Sequence, residues 1–286
     1  MAVEAVRWAG TNTENKPSGT IWGKCPWNAI NEGTVKGVTF YDDFHSFNIT
    51  PATTEGNWAA GQGYAQFSGT GGTITAPAAS AATKAGVPTT GITIGSDDDN
   101  EGVGIRSLST PFMLNRANQR FWFEACIRKS SIANTILEFF IGLMENTALT
   151  ATVPITATAA TLADVNCVGW YTTESAGSTA NTTYKANGVT AVTVESAAAT
   201  FVAATFIKLG MMYVPSGDKD GAYCLSFYVN GVRCSSSKII PDSNGTDFPT
   251  DVAMGPVLAS RNAAGSSPGT VTIQWWKAAQ LYAPLN

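Results

Sequence analysis

The stretch Tyr228-Val229-Asn230-Gly231-Val232-Arg233 constrains this chain more than any other. Asn-Gly between two apolar runs supplies the two positive φ angles of a two-residue type I′ turn, whose twist matches that of adjacent antiparallel strands. The same texture of aromatic and β-branched residues recurs in Val38–Phe44, Tyr64–Phe67, Gln119–Arg128, Ile136–Met144 and Asn166–Tyr171. It continues in Val189–Val194, Phe206–Val214, Val252–Leu258 and Val271–Leu281, each run bounded by turn-forming residues. No segment holds a helical period of useful length. A short helix fits only the Ala-rich window Ala191–Ala204, and the Val and Thr residues there favour a strand. The expectation is an all-β chain, an antiparallel β-sandwich.

Residues 1–37 read differently. Gly, Asn, Thr and Pro interrupt every apolar pair, and Trp8, Trp22 and Trp27 recur without a period, so this part is expected to be an irregular, extended arm. Three tryptophans need a surface to pack on. One reading has the arm wrap its own domain. The other makes Trp8, Trp22 and Trp27 interface residues that reach a neighbouring subunit, because Trp is enriched where binding energy concentrates. The domain proper is expected over residues 38–286, with an excursion rich in Gly, Ala and Thr near residues 68–104.

Charge narrows the choice of partners. Only 13% of the 286 residues are charged, about half the usual share, and Ala, Thr, Ser and Gly fill the balance. A neutral, small-residue surface suits extended protein interfaces, since little charge is desolvated when they form. The net charge of -4 and the scattering of the basic residues argue against nucleic acid. No apolar stretch has the length of a membrane span, and Met1-Ala2-Val3-Glu4-Ala5-Val6-Arg7-Trp8 lacks the order of a secretion signal. The expected setting is a cytosol, at least until assembly. Cys25, Cys126, Cys167, Cys224 and Cys234 have no metal-ligand spacing and read as mostly buried thiols, with Cys224 and Cys234 flanking the hairpin.

Phe40-Tyr41-Asp42-Asp43-Phe44, the strand Phe121–Arg128, Phe206–Val214 followed by Phe227-Tyr228-Val229-Asn230-Gly231, and the closing strand Val271–Trp276 together resemble the concanavalin A-like lectin/glucanase jelly roll. The resemblance covers about residues 38–286. It implies two stacked antiparallel sheets, in a fold shared by sugar binders, glycosidases and structural modules of tailed bacteriophages. The glycosidases of that family carry alternating carboxylates on one strand, because retaining hydrolysis needs an acid and a nucleophile roughly 5 Å apart. The matching strand here offers Glu124 alone, which reads as facing solvent or pairing with an Arg. Glu138 and Glu145 lie on neighbouring segments without the alternating spacing.

Other chemistry is equally sparse. His45 is the only histidine, and no Gly-x-Ser-x-Gly elbow accompanies it. Asp97-Asp98-Asp99-Asn100-Glu101 is consecutive and lacks the alternation of a calcium loop, so it reads as a solvated turn. Asp42, Asp43 and Asn230 are the residues for a lectin-type calcium rim, and Trp275-Trp276 are the pair for sugar stacking, although neighbours on a strand point to opposite faces. Neither a catalytic residue, a metal nor a cofactor is expected. The function expected is that of a non-enzymatic virion protein, a capsid decoration (cement) protein of a tailed bacteriophage. It would contact the major capsid protein or other virion proteins, as a homo-oligomer such as a trimer, and would be located in the virion. The alternative is a carbohydrate-binding module with a glycan ligand, and the third reading is a glycoside hydrolase.

Overall fold

The computed structural model describes residues 16–44, 58–60, 63–69, 71–75, 91–96, 101–114, 119–134, 136–146, 153–156, 162–215, 223–240, 247–262 and 269–282. Two short helices, α1 (Gly19–Trp22) and α2 (Trp27–Asn31), come first. The strands follow as β1 (Gly37–Asp42), β2 (Trp58–Ala60), β3 (Tyr64–Ser68), β4 (Gly72–Thr75), β5 (Ile92–Ser96), β6 (Gly102–Ser107), β7 (Phe112–Met113), β8 (Arg120–Lys129) and β9 (Glu138–Met144). After these come β10 (Cys167–Tyr171), β11 (Thr179–Lys185), β12 (Val192–Thr200), β13 (Ile207–Pro215), β14 (Tyr223–Val229), β15 (Val232–Ile240), β16 (Ala253–Arg261) and β17 (Gly269–Leu281).

The strands form two antiparallel sheets stacked as a jelly-roll sandwich. One runs β15-β14-β13-β8-β17-β5-β4, with β1 beside the second half of β17; it is called sheet A below. Sheet B runs β12-β11-β10-β9-β16-β6-β3-β2, with β7 beside the start of β16. The main core lies between them: Phe121, Phe123, Ala125 and Ile127 from β8 meet Phe139, Ile141 and Leu143 from β9, together with Trp170, Leu258 and Trp276. Alternation along each strand sends these residues inward and the intervening ones outward.

The Asn-Gly hairpin forms as its sequence requires. Asn230 (φ 50°) and Gly231 (φ 80°) both have positive φ, and Val229 pairs with Val232 across the turn. Asn230 is also tied to β13: its N–H donates to the Lys208 carbonyl, and its Oδ1 accepts the Lys208 N–H at 2.9 Å. The Ala-rich window is strand β12 over Val192–Thr200, in keeping with its Val and Thr content. The 68–104 stretch contributes the end of β3, β4, β5 and the start of β6, and its other residues lie outside the described set apart from Gly69, Gly71, Gly91 and Glu101.

Of the arm expected to be extended, residues 1–15 lie outside the described set, and the rest is not extended throughout. From residue 18 it folds into the two short helices, and a chain of turn hydrogen bonds carries it from α2 to β1, including Gly33 N–H to the Ile30 carbonyl. Among the described residues no helix is long and apolar enough to cross a membrane.

Candidate functional site

Sheet A's outer side is built by the outward residues of β8, Trp122, Glu124 and Cys126, beside Lys277, Ala279 and Leu281 of β17 and Met212 of β13. Residues 16–36 cross this side as a strap. Ile21 and Ile30 of the strap are buried against Trp122, Met212, Tyr228, Ala279 and Leu281, with Trp22, Cys25 and Trp27 packed around them. Glu124 is the polar hub of the contact. It is fully buried, and its Oε2 accepts both the Ser18 N–H and the Trp22 Nε1–H at 2.8 Å. Lys208 adds a hydrogen bond from Nζ to the Lys16 carbonyl at 3.0 Å.

Lys277 lies opposite Glu124 in the β8–β17 register. Its ammonium sits 4.3 Å from the Trp22 ring centroid and 4.0 Å from that of Trp27, while the two rings meet edge to face with centroids 5.5 Å apart. A cation held against two aromatic faces is attracted by both ring quadrupoles, the more so where water is excluded. Burial raises the Glu124 pKa, opposed by the hydrogen bonds from Ser18 and Trp22 and by the Lys208 charge. Burial also lowers the Lys277 pKa, opposed by Cys25 and Glu124, and pushes the neighbouring Cys25 thiol up to about 12. The groups on this side fasten the strap; an inert thiol and a carboxylate already accepting two donors are poor reagents.

The outer side of sheet B is roofed as well. Residues 153–156 and 162–165 meet through an Ile155–Leu162 bridge and a hydrogen bond from Ala163 N–H to the Pro154 carbonyl. Ile155, Leu162, Ala163 and Val165 cover Phe140, Met144, Cys167 and Val257, and Val153 covers Phe67 and Ala259. Beyond this flap, at the start of β9, stands Glu138. It is buried and pairs in register with Arg261. Burial pushes its pKa up to about 7, with Arg261 opposing and the Glu174 charge reinforcing the shift.

Of the three tryptophans expected at an interface, Trp22 and Trp27 pack on sheet A of their own chain, and Trp8 lies outside the described residues. Glu124 corrects its own reading: it faces neither solvent nor an arginine, because the strap buries it and supplies its donors. Glu145 accepts the N–H and the side-chain amide of Asn166. Asp42 accepts the Phe44 N–H at 2.6 Å through Oδ1 and the Tyr64 hydroxyl through Oδ2, and Tyr64 in turn accepts Trp276 Nε1–H. Asn230 serves the hairpin. The pair Trp275 and Trp276 is wholly buried, set across a register shift after Ile273, and offers no stacking surface. Cys224 pairs with Ile239, not Cys234, and all five thiols are free. His45 and residues 97–100 lie outside the described set. Among the described residues no cluster of His, Cys, Asp and Glu could hold a metal ion.

Reading the sequence alone missed Lys129, Lys277 and the burial of Glu138. A signal was present: Phe121-Trp122-Phe123 is apolar on both faces of its strand, which means that both faces are covered and that Glu124 on the same strand is covered too.

No protein-family model matches the chain. No curated protein matches it in sequence. Among solved structures it is similar to an endo-1,3-beta-glucanase from Streptomyces sioyaensis, at 12% identity over 87% of this chain and 97% of that one, with a TM-score of 0.51. It also matches peanut lectin, at 12% identity over 86% and 97% of the two chains with a TM-score of 0.47. A third match is a protein of unknown function from Shewanella oneidensis MR-1, at 11% identity over 91% and 96%, with a TM-score of 0.45. At such identity the glucanase likeness speaks for the concanavalin A-like fold alone.

Proposed function

We propose that the chain is a non-enzymatic structural protein of a virion, a decoration protein that stabilises a bacteriophage capsid by binding its major capsid protein as a homo-oligomer. The observation that carries this reading is how the surface is distributed. The strap and the flap cover the middle of the outer side of each sheet, and the proposed contacts are placed at the edges of the sandwich. Along the edge strands β12 and β15 the exposed residues are Thr193, Ser196, Ala197, Thr200, Val232, Arg233, Ser235 and Ser237, one of them charged. Such an edge joins a partner with little charge to desolvate, and contacts repeated over a lattice add by avidity. A stable contact of this kind buries about 1,200 Å² or more. Cryo-electron microscopy and quantitative mass spectrometry of purified particles test the reading. High copy number at symmetric shell positions is the expected result, and absence from particles refutes it.

A second reading, a carbohydrate-binding module, draws on the fold shared with the glucanase and on one surface detail. Half-buried Trp22 and Trp27 share the outer side of sheet A with Tyr41, which is 36% exposed. A glycan array with the purified chain separates the readings: saturable binding that is lost on Trp27→Ala favours the lectin.

A further inference from the structure

One corner of the sandwich holds charges on both sides of a single turn. Lys129, at the end of β8, is fully buried; its ammonium donates to the Gly177 carbonyl at 2.6 Å and lies 5.8 Å and 5.7 Å from the ring centroids of Phe139 and Phe201. Gly177 N–H donates in turn to Asn134 Oδ1 at 3.0 Å. The 172–178 turn, between β10 and β11, is thus pinned from inside. On its other side Glu138 stands where β9 meets the start of the turn, with Phe139 N–H donating to Thr172 Oγ1 at 2.9 Å and Thr172 N–H to the Phe139 carbonyl at 3.0 Å, and its Oε1 is buried with no hydrogen-bond partner. The charged groups that face Glu138 are Arg261 from β16, Glu174 from the turn itself and Lys129 from β8.

We infer that Glu138 and Lys129 form a proton-controlled lock on the 172–178 turn, closed when Glu138 is protonated and loosened when it ionises beside Glu174. A neutral Glu138 leaves no charge buried and tolerates the neighbouring carboxylate. An ionised one places two like charges side by side, with one oxygen buried and unpartnered, and the opening of the turn to water relieves both costs. Lys129 acts in the opposite sense, since its burial also penalises charge and lowers its pKa to about 8.

The sign and size follow from linkage. The closed turn holds the Glu138 proton up to about pH 7, while the open turn releases it near the ordinary value of about 4.3. Opening therefore grows roughly tenfold between about pH 6 and about pH 8, and roughly fivefold if Lys129 is freed in the same step.

Amide hydrogen exchange of the 172–178 segment in the full chain, corrected for the intrinsic effect of pH on exchange, measures this directly. The expected result is a five- to tenfold loss of protection over that pH interval in the wild type, absent in Glu138→Gln and weakened in Glu174→Gln. Glu174 is half exposed, so its variant keeps the test available if Glu138→Gln does not fold. Protection that does not change with pH in the wild type, or an undiminished response in either variant, overturns the inference.

Discussion

Trp22→Phe tests whether the strap is fastened through Glu124. The substitution keeps an aromatic ring against Lys277 and Trp27 but deletes the Nε1–H that donates to Glu124 Oε2 at 2.8 Å. A hydrogen bond to a charged partner contributes about 1.5–3 kcal/mol, and truncating one donor leaves part of a fully buried carboxylate uncompensated. The smaller ring also gives up some buried area and a weaker attraction for the ammonium, so the whole loss comes to about 2 kcal/mol or somewhat more. How the loss appears depends on cooperativity. If the strap opens by itself, the amides of Ser18, Trp22 and Gly23 exchange roughly 30-fold faster while global urea unfolding hardly moves, since each 1.36 kcal/mol is about a factor of ten. If strap and sandwich unfold together, the urea midpoint falls with the slope unchanged. Loss of the Trp22 donor also raises the Glu124 pKa further, because that bond is among the contacts holding it down. A change below about 0.5 kcal/mol by both measures, within the range of an ordinary surface substitution, refutes Glu124 as the fastening point.

Other positions give sharper or opposite effects. Gly142→Ala places a methyl group against the Val168 carbonyl oxygen and the Gly169 Cα of the neighbouring strand, backbone atoms that cannot rotate away. Calorimetry is expected to show a loss of about 3 kcal/mol or outright failure to fold, and a loss under about 1 kcal/mol contradicts that packing. Asn230→Ala removes a residue that tolerates φ 50° and the acceptor for the Lys208 N–H. Its cost of about 1–2 kcal/mol in urea melts should be only partly recovered in Asn230→Gly, which restores the turn but not the hydrogen bond. Ala197→Gly is expected to stabilise by a few tenths to about 1 kcal/mol, as the alanine occupies φ 51°.

Much of the architecture was legible because it rests on short-range rules. Asn230-Gly231 specifies its turn through backbone sterics alone, and Phe121 to Ile127 specifies an inward face through strict alternation. The jelly-roll order was legible by resemblance, with no short signature to carry it. What escaped depends on contacts distant in sequence. Glu124 resembles a solvent-facing strand residue until a strap about a hundred residues upstream lands on it, through bonds that separate Ser18 from Glu124 by 106 positions. The helices α1 and α2 span Gly19–Trp22 and Trp27–Asn31, too short to stand alone, and their existence follows from the face they cover. Lys129 ends a run whose inward members are Phe121, Phe123, Ala125 and Ile127, so alternation itself sends it inward. A lysine in that place contradicts the usual cost of burying a charge, and only the Gly177 carbonyl and two aromatic rings explain it.

The placement of Glu124 and Glu138, two of the three buried carboxylates among the described residues, limits what the shared fold can mean for this chain. Glu124 faces outward from sheet A and Glu138 outward from sheet B, so a whole sandwich separates them. Stacked sheets alone are about 10 Å apart, while an acid and nucleophile that cleave a glycosidic bond with retention stand only about 5 Å apart. These two residues therefore do not act on one bond, and each has a local task instead: Glu124 holds the strap and Glu138 the 172–178 turn. Both tasks serve to keep covering segments in place. The strap and the flap occupy part of the outer side of each sheet, and the mostly neutral residues of β12 and β15 lie exposed along one margin. There the Glu195 side chain accepts from Ser235 Oγ at 2.8 Å and from Ser236 N–H at 2.5 Å, tying the edge of one sheet to the edge of the other. That tie occupies the Ser236 N–H, a donor that an open strand edge would present to a foreign strand. On the proposed decoration role a partner at this margin is recognised through side chains, and substitution of the exposed Ser237 is expected to lower the copy number on particles without altering the melting temperature.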